Sequence, residues 1–201
     1  KTVDEYFSGS NNTIQNAAVR NILNAVTTSL QKNPNRKFTY VEQAFFMRWW
    51  RELTPSEQDA TRTLVKNGQL NFVNGGWCMH DEAATHYVDM VDQTTLGHRL
   101  LKEAFGEDGV VTIGWQLDPF GHSATQAALL SAETGFDGLF FGRIDYQDLA
   151  LRHQTKRNEF IWRASPSLGD DSQIFSGLSS EYGGNYGPPA GFNWNGNDEP
   201  V

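Results

Sequence analysis

Cross-links are almost absent from this sequence. Cys78 is its only cysteine, which excludes an internal disulfide and any zinc cage built on thiolates. Long apolar runs are missing too: none approaches the ~18 residues of a membrane span. Positive charge is in short supply, with 16 Lys and Arg against 24 Asp and Glu and a formal charge of -8. A nucleic-acid backbone is a poor partner for such a chain, whereas a neutral substrate or an acidic compartment suits it. No secretory leader is legible, no internal repeat is evident, and the opening Lys1-Thr2-Val3-Asp4-Glu5 reads as the continuation of polypeptide upstream.

Aromatic residues, by contrast, are plentiful at 12%, including 6 Trp and 13 Phe. Two uses stand open for them: packing a core, or presenting flat apolar rings to sugar faces. The 201 residues suffice for one domain with a sizeable core, and 38% hydrophobic residues exclude a disordered chain. Asn11-Asn12-Thr13 is a candidate N-glycosylation acceptor at Asn11.

Helix and strand signals alternate along the middle of the chain. Ile14, Ala18, Ile22, Ala25, Val26 and Leu30 recur at helical spacing, which predicts a helix over 12–31 with these residues on its buried face. Phe38–Val41 reads as a short strand and Ala44–Leu53 as a helix. Thr54-Pro55-Ser56-Glu57 then opens another, with Thr54 as cap, Pro55 in the first turn and Glu57 completing a capping box. Leu70–Val73 is a second strand, closed by the turn Asn74-Gly75-Gly76. A long helix follows whose expected buried face carries Val88, Val91, Leu96, Leu100 and Phe105. The apolar run Val110–Trp115 predicts a strand buried on both faces. Ser123–Thr134 is then helical up to Gly135, and Gly138–Gly142 is a further strand. This order predicts an α/β fold, a parallel sheet or barrel with helices outside. Residues 1–164 are read as part of that β/α domain. Residues 165–201, rich in Gly, Ser, Asn and Pro without a regular period, are read as an irregular extension of it.

In parallel β/α architectures the reactive groups lie at the carboxyl ends of strands. Polar residues stand there three times: Glu42, the segment Gln116-Leu117-Asp118-Pro119-Phe120-Gly121-His122-Ser123, and Arg143-Ile144-Asp145-Tyr146. Pro119 keeps Asp118 extended, Gly121 permits a sharp reversal, and Ser123 can cap the next helix. Asp118 is therefore either a nucleophile or metal ligand on a stiff platform, or a strand-end carboxylate accepting backbone N–H groups. Arg143 either orients that carboxylate in its ionised form or makes a solvated ion pair, with Asp145 as the alternative partner. His122 either ligates a metal or fixes the turn. His80 and His86 bracket Asp81-Glu82, but not at the i, i+4 spacing of a helical zinc motif, and loop-supporting hydrogen bonds are the favoured reading.

Several of these segments carry a family likeness. Trp115-Gln116-Leu117-Asp118-Pro119-Phe120-Gly121-His122-Ser123 resembles the signature of the class II α-mannosidases, glycoside hydrolase family 38. Tyr40–Trp50, Asn74-Gly75-Gly76-Trp77, Asp81-Glu82-Ala83 and Gly135–Gln147 match as well, and the likeness is strongest to the lysosomal or vacuolar acid enzymes. It implies the amino-terminal β/α-barrel catalytic domain of a larger glycosidase, incomplete in this chain. It also implies retaining, zinc-dependent hydrolysis of terminal α-D-mannose from N-glycan oligosaccharides, in a lysosome or vacuole. By the same likeness Asp118 is nucleophile and zinc ligand, Arg143 holds its carboxylate, and Phe120 lines the mannose pocket. A His-x-Asp zinc pair with a pocket Trp before Lys1, and a zinc His and the acid/base Asp beyond Val201, are implied to complete the site. Partners are then mannose-containing oligosaccharides and the remaining segments of the same enzyme, with a homodimer left open. Two rival readings are a metal-dependent, polysaccharide deacetylase-like hydrolase and a catalytically silent sugar-binding segment.

Overall fold

The structure, a computed structural model, describes residues 18–178. The glycosylation candidate Asn11 and the helical positions before Ala18 lie outside the described residues, as do residues 179–201. The chain divides into two compact units, one holding the described residues up to Met79 together with Val88–Val111, the other His80–Tyr87 with the described residues from Thr112 onward.

In the first unit, α1 (Val19–Lys32), β1 (Phe38–Tyr40), α2 (Gln43–Glu52), α3 (Pro55–Lys66), β2 (Leu70–Phe72) and most of α4 (Tyr87–Phe105) follow in order. β1 and β2 pair in parallel, Phe38 opposite Leu70 and Tyr40 opposite Phe72. The capping box at α3 forms as its sequence predicts: Thr54 N–H donates to Glu57 at 2.8 Å, and the Thr54 hydroxyl accepts from Glu57 N–H. The loose carbonyls at the end of α1 are met by Gln69, whose buried amide donates to Leu30 O at 2.9 Å and Asn33 O at 3.1 Å. At the centre lies Phe46, its ring 5.3 Å from Trp49, 5.0 Å from Phe72 and 6.0 Å from Phe105. Edge-on and tilted contacts of this kind add to simple area burial. For these rings, and for Trp50 against Phe105, the core use of the aromatics is the one realised.

Two helix faces differ from expectation. On α1 the buried residues are Leu23, Thr27 and Leu30, while Ile22 is exposed. On α4 they are Met90, Gly97, Leu101 and Phe105, while Val88, Val91 and Leu96 face solvent. The reason on α4 is a close approach of backbones. A Cβ on Gly97 would overlap the Gly75 carbonyl oxygen and stand 2.7 Å from Gly76 Cα, so only glycine admits the turn there. That turn requires left-handed backbone, with φ of 58° at Asn74 and 71° at Gly75. Apolar spacing therefore holds for Ala18, Leu30 and Phe105, which are buried, and fails for Ile22, Val88, Val91 and Leu96.

The second unit contains β3 (Ile113–Gln116), α5 (Ala124–Ala128), β4 (Gly138–Phe141), α6 (Tyr146–Thr155), β5 (Glu159–Arg163) and β6 (Gln173–Leu178). α5 continues into a π-helical turn over Leu129–Glu133, marked by the bond from Thr134 N–H to Leu129 O at 3.0 Å. The strands form one sheet in the order β3-β4-β6-β5. β3, β4 and β6 run parallel and β5 is antiparallel to β6. Leu139, Phe141 and Ile174 are buried in this sheet, and Ala127 and Leu130 on the helical segment behind it. The α/β class and parallel pairing agree with the sequence reading, but a closed barrel is not seen among the described residues. The antiparallel edge arises because residues 164–172 are too few for the crossover that a parallel return needs.

The irregular reading of 165–201 is corrected for residues 173–178, which form β6 between two partners. The turn before it is organised by buried Ser172, whose hydroxyl donates to Ser165 O at 2.9 Å and accepts from Ser165 N–H at 3.1 Å. Backbone pairing on both edges makes this strand, and the Gly- and Ser-rich sequence around it concealed it. The strand expected from Val110 begins only at Ile113, where pairing with Gly138 starts.

An alanine at position 97 improves intrinsic helix propensity yet collides with the 75–76 turn. Gly97→Ala is expected to lower stability by about 1–3 kcal/mol, read as a lower urea midpoint. A raised midpoint would show that the turn gives way freely.

Candidate active site at the ends of two paired strands

β3 and β4 end in register, Gln116 opposite Phe141, and Gly142 N–H donates to Gln116 O at 2.7 Å to extend the ladder one step. The chains that follow therefore leave the sheet side by side. One carries Asp118, Pro119 and Phe120; the other carries Arg143. Arg143 Nη2 meets Asp118 Oδ1 at 2.7 Å, and Arg143 Nε donates to Pro119 O at 3.0 Å. The guanidinium also lies 5.3 Å from the centre of the Phe120 ring, a cation–π distance. Asp118, Phe120 and Arg143 are thus brought together. Asp145, the alternative partner for Arg143, instead caps α6 by accepting from Gln147 N–H at 2.9 Å and Asp148 N–H at 3.2 Å.

Exposure indicates what the cluster is good for. Asp118 and Arg143 side chains are 47% and 43% accessible, and Phe120 is 72% accessible. An ion pair so open to water contributes about 0–1 kcal/mol to stability. Its importance is geometric: a carboxylate turned to one orientation beside an exposed apolar ring. Pair and ring together offer a ligand a charge, fixed donors and a flat face, the combination that suits a polyhydroxylated ring.

The turn beneath is held by its own network. Gly121 has φ of 138°, in the region that favours glycine, and Ser123 caps α5 by accepting from Thr125 N–H at 3.2 Å. His122 Nε2 donates to Arg143 O at 2.8 Å, since a carbonyl can only accept, and its ring packs on Phe141 with centres 4.5 Å apart. His122 therefore fixes the turn. Its Nδ1 lies 3.6 Å from Glu82 Oε2, longer than a hydrogen bond but close for opposite charges. Burial disfavours the charged imidazole, yet Glu82 and the Arg143 carbonyl outweigh burial, so the pKa of His122 lies above its ordinary value.

Glu82 is the residue whose importance the sequence concealed. Its side chain is only 2% accessible, and its Oε2 accepts from Ser123 N–H at 2.7 Å. Two signals pointed to it: the crowding of His80, Asp81, Glu82 and His86 into a single loop, and the family likeness of Asp81-Glu82-Ala83. That loop braces the turn, as the hydrogen-bonding reading held. His80 Nε2 lies 2.7 Å from Gln126 Oε1, and Gln116 donates to His80 O at 3.3 Å. Asp81 accepts from Ala83 N–H at 2.7 Å, and His86 stacks on Tyr87. Glu42 belongs to the first unit, where it accepts from Met79 N–H at 3.4 Å. Desolvation, and then the charge of Glu42, push the Cys78 thiol up, which makes it a poor nucleophile.

Asp118 is chemically suited to be one oxygen ligand of a metal such as zinc. Structural and catalytic zinc sites take three or four protein ligands, and among the described residues no three His, Cys, Asp or Glu side chains converge to supply them. Asp118 fits as a single ligand, and the others would have to come from outside the described residues.

Similarity to known proteins extends over nearly the whole chain. The model of the N-terminal domain of glycosyl hydrolases family 38 matches residues 1–199. An alpha-mannosidase of Canavalia ensiformis is 56% identical over 194 residues, covering 96% of this chain and 19% of that protein. A lysosomal alpha-mannosidase of Cavia porcellus is 51% identical over 195 residues, again covering 96% of this chain and 19% of that protein. The chain thus spans about a fifth of the length of these relatives. The crystal structure of an alpha-mannosidase from Enterococcus faecalis V583 shares the fold with a TM-score of 0.58 at 18% identity, over 80% of this chain and 17% of that one.

Two outcomes follow. The raised pKa of His122 means that its contribution to stability is complete below the ordinary value near 6.5 and is lost as pH climbs through the folded value. The difference in unfolding midpoint between the protein and His122→Gln should accordingly shrink from pH 6 to pH 9. A constant difference would show that the ring is not charged in the fold. Isothermal titration of the 1–201 polypeptide should detect no micromolar zinc site, and tight binding would assign ligands this geometry does not contain.

Proposed function

The chain belongs to glycosyl hydrolase family 38, and on that premise we propose that it is the nucleophile-bearing part of a retaining α-mannosidase. Asp118 is the nucleophile, Arg143 its orienting partner, and Phe120 a wall of the mannose pocket. The observation that carries this reading is the 2.7 Å contact between Arg143 Nη2 and Asp118 Oδ1, made where two parallel strands end.

In the proposed reaction an Asp118 carboxylate oxygen attacks the anomeric carbon of a terminal α-D-mannose. A bond from that oxygen to the carbon forms as the bond to the leaving oxygen breaks. The leaving oxygen takes a proton from an acid residue supplied outside the described residues. Water then cleaves the glycosyl ester with the same residue acting as base, and two inversions leave the configuration retained. Arg143 serves both steps by holding one carboxylate oxygen with Nη2 while its Nε is fixed on the Pro119 carbonyl, so that the attack trajectory is set before substrate arrives. Phe120 offers its exposed ring to the apolar face of the sugar. We propose zinc as the cofactor, with Asp118 as one ligand; when bound it would hold sugar hydroxyls and orient the ring. Mannose-bearing N-glycans are the proposed substrates and a lysosome or vacuole the proposed location, supported by the lysosomal relative and by the acidic composition. A β/α-barrel completed by the rest of the enzyme is the proposed architecture.

In the full-length enzyme, Asp118→Asn should retain less than about a hundredth of the activity on an aryl α-mannoside, because loss of a nucleophile commonly costs more than that. Peptide mapping after treatment with a fluorinated mannoside should find the label on Asp118. A label elsewhere, or an active Asp118→Asn enzyme, would overturn the assignment. Arg143→Lys keeps the charge without the fork and should lower turnover with the fold intact. Unchanged turnover would reduce Arg143 to a surface charge.

A further inference from the structure

We infer that Glu82 and His122 are positioning residues for the Arg143–Asp118 pair, acting from behind the turn rather than on the substrate. This inference rests on the nucleophile assignment proposed above. The argument begins with a reciprocal arrangement of bonds. The His122 side chain donates to the Arg143 backbone at 2.8 Å, and the Arg143 side chain donates to the Pro119 backbone at 3.0 Å and reaches Asp118 at 2.7 Å. Turn and strand end are therefore cross-linked in both directions. Displacement of the imidazole would release the Arg143 backbone, and with it the fork that holds Asp118.

Glu82 sets the imidazole. Because Arg143 O can only accept, His122 Nε2 must carry a hydrogen. That leaves Nδ1, buried and without a hydrogen bond among the described residues, facing Glu82 Oε2 at 3.6 Å. With a lone pair on Nδ1 the two groups would repel, whereas with a proton there they attract. The carboxylate thus favours the doubly protonated ring and its single orientation. Glu82 also accepts from Ser123 N–H at 2.7 Å, so it holds the residue after His122 as well.

Stability is a poor explanation for this design. Glu82 Oε1 is buried with no protein hydrogen-bond partner among the described residues. A buried ionic pair left partly unsatisfied generally stabilises no better than apolar residues of the same size. What such a pair does supply is a directional constraint, and here the constraint points at Arg143.

The test uses the full-length enzyme and an aryl α-mannoside. Glu82→Gln should lower kcat about ten- to a hundred-fold with KM changed less than about twofold, the pattern of a misplaced reacting group. His122→Gln can present an amide N–H where Nε2 stood and should keep most of the wild-type kcat, whereas His122→Asn cannot reach Arg143 O and should fall with Glu82→Gln. Equal activities for the two His122 variants would overturn the proposal, and this pair decides the matter if Glu82→Gln does not fold. A crystal structure of Glu82→Gln should show the Arg143–Asp118 contact opened beyond hydrogen-bond range, and an unchanged contact would also overturn it. Should the wild-type enzyme lack mannosidase activity while that contact opens as expected, the functional reading fails and the positioning role stands.

Discussion

Gln116 and Phe141 face each other where two parallel strands stop, and the site inherits its geometry from that register. Because the next backbone bond, from Gly142 to Gln116, holds the two chains together for one more residue, Asp118 and Arg143 depart from almost the same place. Neither side chain needs to be buried to find the other. The ion pair is too exposed to hold the fold, so the fold must hold the ion pair. The backbone ladder, the left-handed Gly121 and the Ser123 cap do this before any charge is considered.

The two units illustrate different ways of using polar and aromatic residues. In the first, aromatic rings fill a core around Phe46, and buried amides such as Gln69 satisfy carbonyls that helix ends leave over. In the second, Phe120 is left in the open and a carboxylate is buried instead. Apolar exposure and polar burial both run against what stability alone would select, and they occur within one short stretch of space around the 118–123 turn. Such departures from local rules are expected at functional sites, and the proposed one lies here.

Much of this was legible beforehand. The Thr54 capping box and the strands at 38–40, 70–72 and 138–141 follow from local motifs whose physics is short-range, and the meeting of Arg143 with Asp118 follows from the rule that neighbouring parallel strands deliver their ends to one place. The buried faces of α1 and α4 were legible only in part, at Leu30 and Phe105, because hydrophobic spacing records which residues are apolar, not which backbone approaches. Gly97 decides the docking of α4 by having no side chain, a signal that an apolarity count passes over. β6 escaped because its strand character is supplied by neighbours on both edges. Glu82 escaped for a related reason: a carboxylate in a polar loop looks solvated until the tertiary fold closes over it.

The route of the chain has a consequence for biosynthesis. Residues 80–87 are lent to the second unit in the middle of the first, and the chain returns to the second unit only at Thr112. Glu82 therefore leaves the ribosome 41 residues ahead of Ser123, the N–H it will accept from. At roughly 5–20 residues per second, that is a wait of roughly two to eight seconds with the carboxylate in water. β6, which pairs with both β4 and β5, arrives later still, so β5 has no strand to pair with until then. The earliest-made piece of the second unit is thus buried only after its later pieces exist, and a pause in translation between residues 87 and 123 would leave an exposed loop with nothing yet to brace.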